Sequence, residues 1–312
     1  MKIFLANPRG FCAGVDRAIK IVNLSLKTYG APIYVRHEIV HSRHVVESLR
    51  EKGAIFVGEL NEVPDGAIVI FSAHGVAKGV WEESTRRNLK VIDATCPLVS
   101  KVHNEVNRDY SNNYELILIG HAGHPEVVGT LGQVPDKLHL ISSVKDVDFL
   151  EVENPLHVSY VTQTTLSVDD CREIVEALHR RYPGIKGPHQ EDICYATQNR
   201  QNAVKELSHF VDVILVIGSP HSSNSNRLKE LGERHEIPSY LIDSYQDIQT
   251  EWLEGVQAIG ITAGASAPEV LVTQVINFLK EHGAEMVEEL TIVKENVEFL
   301  LPKELLMDKS KR

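Results

Sequence analysis

Among the side chains able to do chemistry, four cysteines stand out, and three of them share a setting. Cys12 lies in Pro8-Arg9-Gly10-Phe11-Cys12-Ala13-Gly14, between an apolar run and a helical pattern. Cys96 lies in Asp93-Ala94-Thr95-Cys96-Pro97, after Val91-Ile92 and again ahead of a helical pattern. Cys194, in Asp192-Ile193-Cys194-Tyr195, also precedes one. The dipole of a helix favours a thiolate at its N-terminus. The three are 84 and 98 residues apart, which fits one per structural subdomain. There is no C-x-x-C pair of the kind a closed zinc site uses. A four-iron cluster held by three cysteines would leave one iron open, able to act as Lewis acid and electron donor at a substrate oxygen. The plainer alternative is that single cysteines are small packing residues. For Cys171, after Asp169-Asp170 on a helical pattern, packing or surface is the reading adopted.

A second group of residues suits an anion. His41, His74, His124, Ser266 and the run Ser222-Ser223-Asn224-Ser225-Asn226 supply neutral donors, and most follow apolar runs. Hydroxyls, amides, imidazoles and helix N-terminal amides can clasp a diphosphate without a lysine. Neither G-x-x-x-x-G-K-[ST] nor a G-x-G-x-x-G after a strand occurs, which weighs against nucleotide readings. Glu126, in His124-Pro125-Glu126, suits a general acid or a helix-dipole partner. Thr164 and Thr165 suit holding a substrate hydroxyl or capping a helix.

The elements that position these residues follow one grammar: apolar strand, polar loop, helix. Ile68–Phe71, Leu116–Ile119, Val213–Ile217 and Ala258–Ile261 are continuous apolar runs, each leading into a loop of Gly, Ser, Thr, Asn or His. Such runs with helices between them indicate parallel sheets covered on both faces, whose ligands gather beyond the strands' carboxyl ends. The fold class expected is α/β. Helical stripes are legible at Val15, Ala18, Ile19, Val22 and Leu26, ending near Gly30. Others run through Val99, Val102 and Val106 behind Pro97, through Ile174, Val175 and Leu178 behind Ser167, and through Ala203, Val204, Leu207 and Phe210. The tail from Gly283 carries charge but no period, and is expected to wrap or fray.

The 312 residues carry a net charge of −11, which argues against a general nucleic-acid binder. No run of 18 apolar residues occurs, and Met1–Pro8 shows no signal-peptide core, so a cytoplasmic chain with no membrane partner is expected. No long coiled-coil repeat is present, and a monomer is expected.

Several stretches together resemble the 4-hydroxy-3-methylbut-2-enyl diphosphate reductase family. They are Ala6–Val15, Ser72–Val76, Asp93–Pro97, Gly120–Glu126, Thr162–Ser167, Asp192–Thr197 and Ser222–Arg227, and the resemblance runs in order from residue 1 to about 280. It implies three small α/β domains with mostly parallel sheets around a pseudo-threefold axis, drawn here as 1–96, 97–193 and 194–282 with a 283–312 tail. It implies a central [4Fe–4S] cluster with one open iron, held by Cys12, Cys96 and Cys194. His41, His74, His124, Ser222, Ser223, Asn224 and Ser266 would bind the diphosphate, Glu126 would supply the proton, and Thr164 would orient the hydroxyl. The implied reaction is reductive removal of an allylic hydroxyl, giving isopentenyl and dimethylallyl diphosphates at the end of the non-mevalonate pathway. A ferredoxin or flavodoxin is the implied electron donor. The readings set beside it are a cluster-dependent hydro-lyase, a mononuclear metal hydrolase built on His121, His124 and Glu126, and a non-catalytic iron–sulfur sensor.

Overall fold

A computed structural model describes residues 1–136 and 138–307. Strands follow the order β1 (Lys2–Asn7), β2 (Ile33–Arg36), β3 (Ala54–Val57), β4 (Ile68–Phe71), β5 (Lys90–Asp93) and β6 (Glu115–Ile119). Then come β7 (Leu138–Ile141), β8 (Val158–Thr162), β9 (Val213–Ile217), β10 (Ser239–Ile242), β11 (Ala258–Ala263) and β12 (Met286–Thr291). The helices begin with α1 (Ala13–Tyr29), α2 (Arg43–Glu51), α3 (Lys78–Arg86), α4 (Pro97–Ser111), α5 (Pro125–Leu131) and α6 (Val144–Phe149). They continue with α7 (Val168–Arg181), α8 (Tyr195–Leu207), α9 (Ser223–Arg234), α10 (Glu269–Glu281) and α11 (Lys303–Met307).

The strands form three small sheets, and every pairing within them is parallel: β10-β9-β11-β1-β12, β3-β2-β4-β5 and β7-β6-β8. Parallel sheets covered on both faces need strands that are apolar on both sides. The middle strands meet that need, since every residue of β9 and β6 is buried. Each Leu, Ile or Val so buried contributes about 1.5–3 kcal/mol. The chain divides into two compact units. One comprises Met1–Asp16, His41–Glu47 and Tyr195–Glu298 and carries the five-stranded sheet; the other comprises Arg17–Val40, Ser48–Cys194 and the stretch from Phe299, and carries the other two sheets.

Most helices sit where their stripes place them. Ser167 caps α7 by accepting from the Asp170 amide, Pro97 occupies the first turn of α4, and Gly30 follows α1 in a left-handed conformation. Two expectations are corrected. The tail does not simply fray: Met286–Thr291 pairs in parallel with β1 along its whole length. Phe210 lies beyond the end of α8, where its half-exposed ring stacks on Phe4 at 5.9 Å.

Candidate active site

Every candidate residue but Cys194, which follows α7, falls in a loop or helix start beyond the carboxyl end of a strand, and within each compact unit several of these loops are fastened to one another. In the unit that contains β1, the Gly10 amide donates to the Ala263 carbonyl (3.0 Å) and the Cys12 amide to the Ala265 carbonyl (3.2 Å). Those bonds tie the Cys12 loop to the loop after β11. Ser266, next in that loop, donates its hydroxyl to the His41 carbonyl at 2.8 Å. The Val15 amide, in the first turn of α1, points at the Cys12 sulfur at 3.5 Å. This is how a helix N-terminus favours a thiolate.

The serine-rich run after β9 opens α9. Ser222 caps the helix by accepting from the Ser225 amide at 3.3 Å, and half-buried Ser223 is the first helical residue. Asn224 is only 3% exposed, yet neither polar atom of its side chain meets a hydrogen-bond partner in the protein; the same holds for the buried Ser225 hydroxyl. Leaving a buried polar group unpaired costs about 1–3 kcal/mol. An amide kept in that state at a helix N-terminus fits an anionic ligand. Two glycines make the room: a Cβ at Gly264 would fall 2.0 Å from the Ser225 oxygen, and one at Gly218 would fall 2.2 Å from it.

In the other unit, the Cys96 amide donates to the Ala73 carbonyl at 3.0 Å, joining the start of α4 to the loop that bears His74. The rings of His74 and His124 meet edge to face at 5.9 Å. His124 caps α5, its Nδ1 accepting from the Glu126 amide at 3.2 Å. An accepting Nδ1 places the ring proton of neutral His124 on Nε2.

Glu126 is buried, and its carboxylate turns to Thr164: Oε1 accepts from the Thr164 amide at 2.6 Å and Oε2 from its hydroxyl at 2.9 Å. Burial pushes the Glu126 carboxyl up to about 7, and the charge of Asp192 adds to this. The two Thr164 bonds pull the other way. A carboxyl so poised holds a proton near neutral pH and can release it. The Thr164 carbonyl in turn accepts from the Cys194 amide at 3.0 Å. One residue therefore orients the proton donor and anchors a cysteine loop.

The fourth cysteine behaves differently. Cys12, Cys96 and Cys194 are partly exposed at helix starts, whereas Cys171 is buried among Ile174, Leu178 and their neighbours. Burial pushes its thiol up to about 12, so it packs. Partly exposed thiols at helix starts are the kind of donor that iron–sulfur clusters take. Among the described residues no group of three or more His, Cys, Asp or Glu side chains is arranged to hold a single metal ion. Glu126, which the hydrolase reading needs as a ligand, is instead bound by Thr164.

Three residues that hold site loops were given no role of their own in the sequence reading. Tyr195, Arg200 and Asp192 bind site loops through contacts to distant parts of the chain. Arg200 was not singled out, although a charge on the buried face that Ala196, Ala203, Val204 and Leu207 share is a signal that could have found it.

Residues 3–280 match the family model described as LytB protein. Curated relatives named 4-hydroxy-3-methylbut-2-enyl diphosphate reductase match over 309 residues, 98% of this chain and 98% of each relative. They include those of Pseudomonas entomophila (60% identical), Hahella chejuensis (60%) and Azotobacter vinelandii (58%). The solved structure of E-1-hydroxy-2-methyl-but-2-enyl-4-diphosphate reductase from Plasmodium falciparum matches with a TM-score of 0.96 at 40% identity, covering 99% of this chain and 98% of that one. A structure of (E)-4-hydroxy-3-methyl-but-2-enyl diphosphate reductase, described as the terminal enzyme of the non-mevalonate pathway, matches with a TM-score of 0.64 at 34% identity, covering 90% and 100%.

Proposed function

From the premise that this chain belongs to the LytB protein family, we infer that it is an oxidoreductase that reduces 4-hydroxy-3-methylbut-2-enyl diphosphate to isopentenyl and dimethylallyl diphosphates. Cys12, Cys96 and Cys194 would hold a [4Fe–4S] cluster with one open iron. When bound, that cluster supplies the two electrons of the reduction and Lewis acidity at the allylic oxygen. The balance is one C–O bond broken and one C–H bond formed, with two electrons and two protons taken up and one water released.

The chain's own residues supply binding, orientation and the proton. Ser222, Ser223, Asn224, Ser266 and His41 would take the diphosphate as neutral donors, reinforced by the N-terminus of α9. His74 and the Nε2 proton of His124 would complete the clasp. Holding the inert end of the substrate this way fixes the reacting carbon. Glu126 would give its proton to the departing hydroxyl, and Thr164 would orient that hydroxyl while holding Glu126 in place. The observation that carries the reading is the Glu126–Thr164–Cys194 arrangement: a buried carboxyl poised near 7, fixed by a residue that also anchors a cysteine loop.

A ferredoxin or flavodoxin would deliver the electrons, with the enzyme working as a monomer in the cytoplasm. Among the described residues no helix is long and apolar enough to cross a membrane. The test is turnover of the allylic diphosphate by iron-loaded protein with an external reductant, beside Glu126→Gln. Both products from the parent and neither from the variant, at equal iron content, is the expected result. Full turnover by the variant would sink the assignment of the proton donor.

A further inference from the structure

We propose that Arg200 and Arg17 are positioning residues for the loops that present Cys12 and Cys96, each anchored in turn by the C-terminal tail. The proposal rests on the assignment of those cysteines as cluster ligands.

Arg200 is 0% exposed. A buried guanidinium persists only where its donors are paired. Its Nε and Nη2 both donate to the Gly10 carbonyl, at 3.1 and 2.7 Å, and Nη2 also reaches the Phe11 carbonyl at 3.5 Å. Nη1 donates to the Ala196 carbonyl at 2.8 Å and to Glu295 Oε1 at 3.1 Å, while Nη2 lies 3.4 Å from Glu295 Oε2. Asn199 fixes the same Glu295 oxygen at 3.0 Å. On the other side of Cys12, the Tyr195 hydroxyl accepts from the Ala13 amide at 3.2 Å. The first turns of α8 thus grip the backbone just before Cys12 and just after it.

Arg17 does the corresponding work at Cys96. Its Nη1 donates to the Thr95 carbonyl at 3.0 Å and its Nε to the Leu300 carbonyl at 2.8 Å. Thr95 is further held by Asp93, whose Oδ1 accepts from the Thr95 amide at 2.9 Å. The charge of Arg17 is felt by both Asp93 and Cys96.

The tail completes its sheet pairing at Thr291, and the described residues after it form no strand. Sheet closure therefore does not account for Glu295 and Leu300, which instead supply a carboxylate and a carbonyl to two arginines at cysteine loops. A fixed cation beside such a loop also favours an added electron, since net charge and hydrogen bonding set a cluster's potential.

The test uses the full-length, iron-loaded chain with Glu295→Gln, Tyr195→Phe, Arg17→Gln and Arg17→Lys beside the parent. Arg200→Ala would strand the Glu295 carboxylate and threaten folding, so the milder changes carry the test. Three readouts are taken: iron release to a chelator, the midpoint potential, and alkylation of each cysteine in iron-free protein. Tyr195→Phe and Glu295→Gln are expected to release iron about five- to tenfold faster, as the loss or weakening of one loop hydrogen bond would give. They should speed alkylation of Cys12 and leave Cys96 unchanged. Arg17→Gln should show the converse selectivity and a more negative potential, with Arg17→Lys restoring the potential by keeping the charge. Parent-like iron release and potential, or Cys12 and Cys96 labelling that rise together in step with a lower melting temperature, would overturn the proposal. If the parent binds no iron, the cluster assignment fails on its own, and alkylation selectivity still decides whether the clamps exist.

Discussion

Replacing Glu126 by glutamine is expected to abolish turnover and yet let the protein gain heat stability relative to the parent as the pH rises into mild alkali. Burial raises this carboxyl from an ordinary 4.5 to about 7. A raised value means the folded state binds the proton more tightly than the unfolded state. The stabilisation from that proton is full below 4.5, declines as the pH rises, and is gone once the pH has passed about 7. At 1.36 kcal/mol per pH unit, the swing is about 3 kcal/mol. Above that window the parent carries the whole burden of a buried carboxylate, whereas glutamine carries no charge. The variant-minus-parent difference in stability should therefore move in the variant's favour by about 3 kcal/mol between about pH 5 and about pH 8. At roughly 2 °C per kcal/mol for a chain of this size, that is about 6 °C in melting temperature. Burial raises the Asp192 carboxyl as well, but Asp192 is present in both proteins and cancels except for its charge on Glu126. The assay is calorimetric melting of the two iron-free proteins at both pH values. A melting difference that stays the same across the window, or moves towards the parent, would refute the reasoning.

Thr164→Val removes the hydroxyl bond to Glu126 and keeps the amide bond, so Glu126 should lose its proton at higher pH. The alkaline limb of the pH–rate profile should move up by about one unit, and an unmoved limb would contradict the geometry. Asn224→Ala removes the buried, unpaired amide and is expected to raise KM about tenfold with kcat much less affected. A fall in kcat with KM unchanged would take Asn224 out of the anion site. Gly264→Ala places a methyl 2.0 Å from the Ser225 oxygen and should weaken inhibition by inorganic pyrophosphate. Gly184→Ala, which meets nothing within 4 Å, should leave that inhibition unchanged.

The strands that read most clearly were those buried on both faces: Ile68–Phe71 and Val213–Ile217 are bounded in the structure as their apolar runs are in the sequence. The edge strand β12 was silent because it is almost wholly exposed and Glu288 and Glu289 break its apolar run, whereas β3, Ala54–Val57, is a short apolar run that the sequence reading passed over. β12 is specified by its pairing with β1, nearly the full length of the chain away, which no local window contains. The chemistry-bearing residues were legible because loops beyond parallel strands concentrate Ser, His and Cys in short motifs. What holds those loops was not. Arg200 bonds to carbonyls 189 and 190 residues distant, and backbone carbonyls leave no residue-type signature. The raised pKa of Glu126 was equally hidden, since it comes from burial rather than from neighbours in sequence.

The most direct measurement is iron and acid-labile sulfide content of anaerobically purified protein, beside Cys12→Ser, Cys96→Ser, Cys194→Ser and Cys171→Ser. The account predicts about four irons in the parent and in Cys171→Ser, with loss in each of the other three. No iron in the parent, or a dependence on buried Cys171 equal to that on the other three, would contradict it.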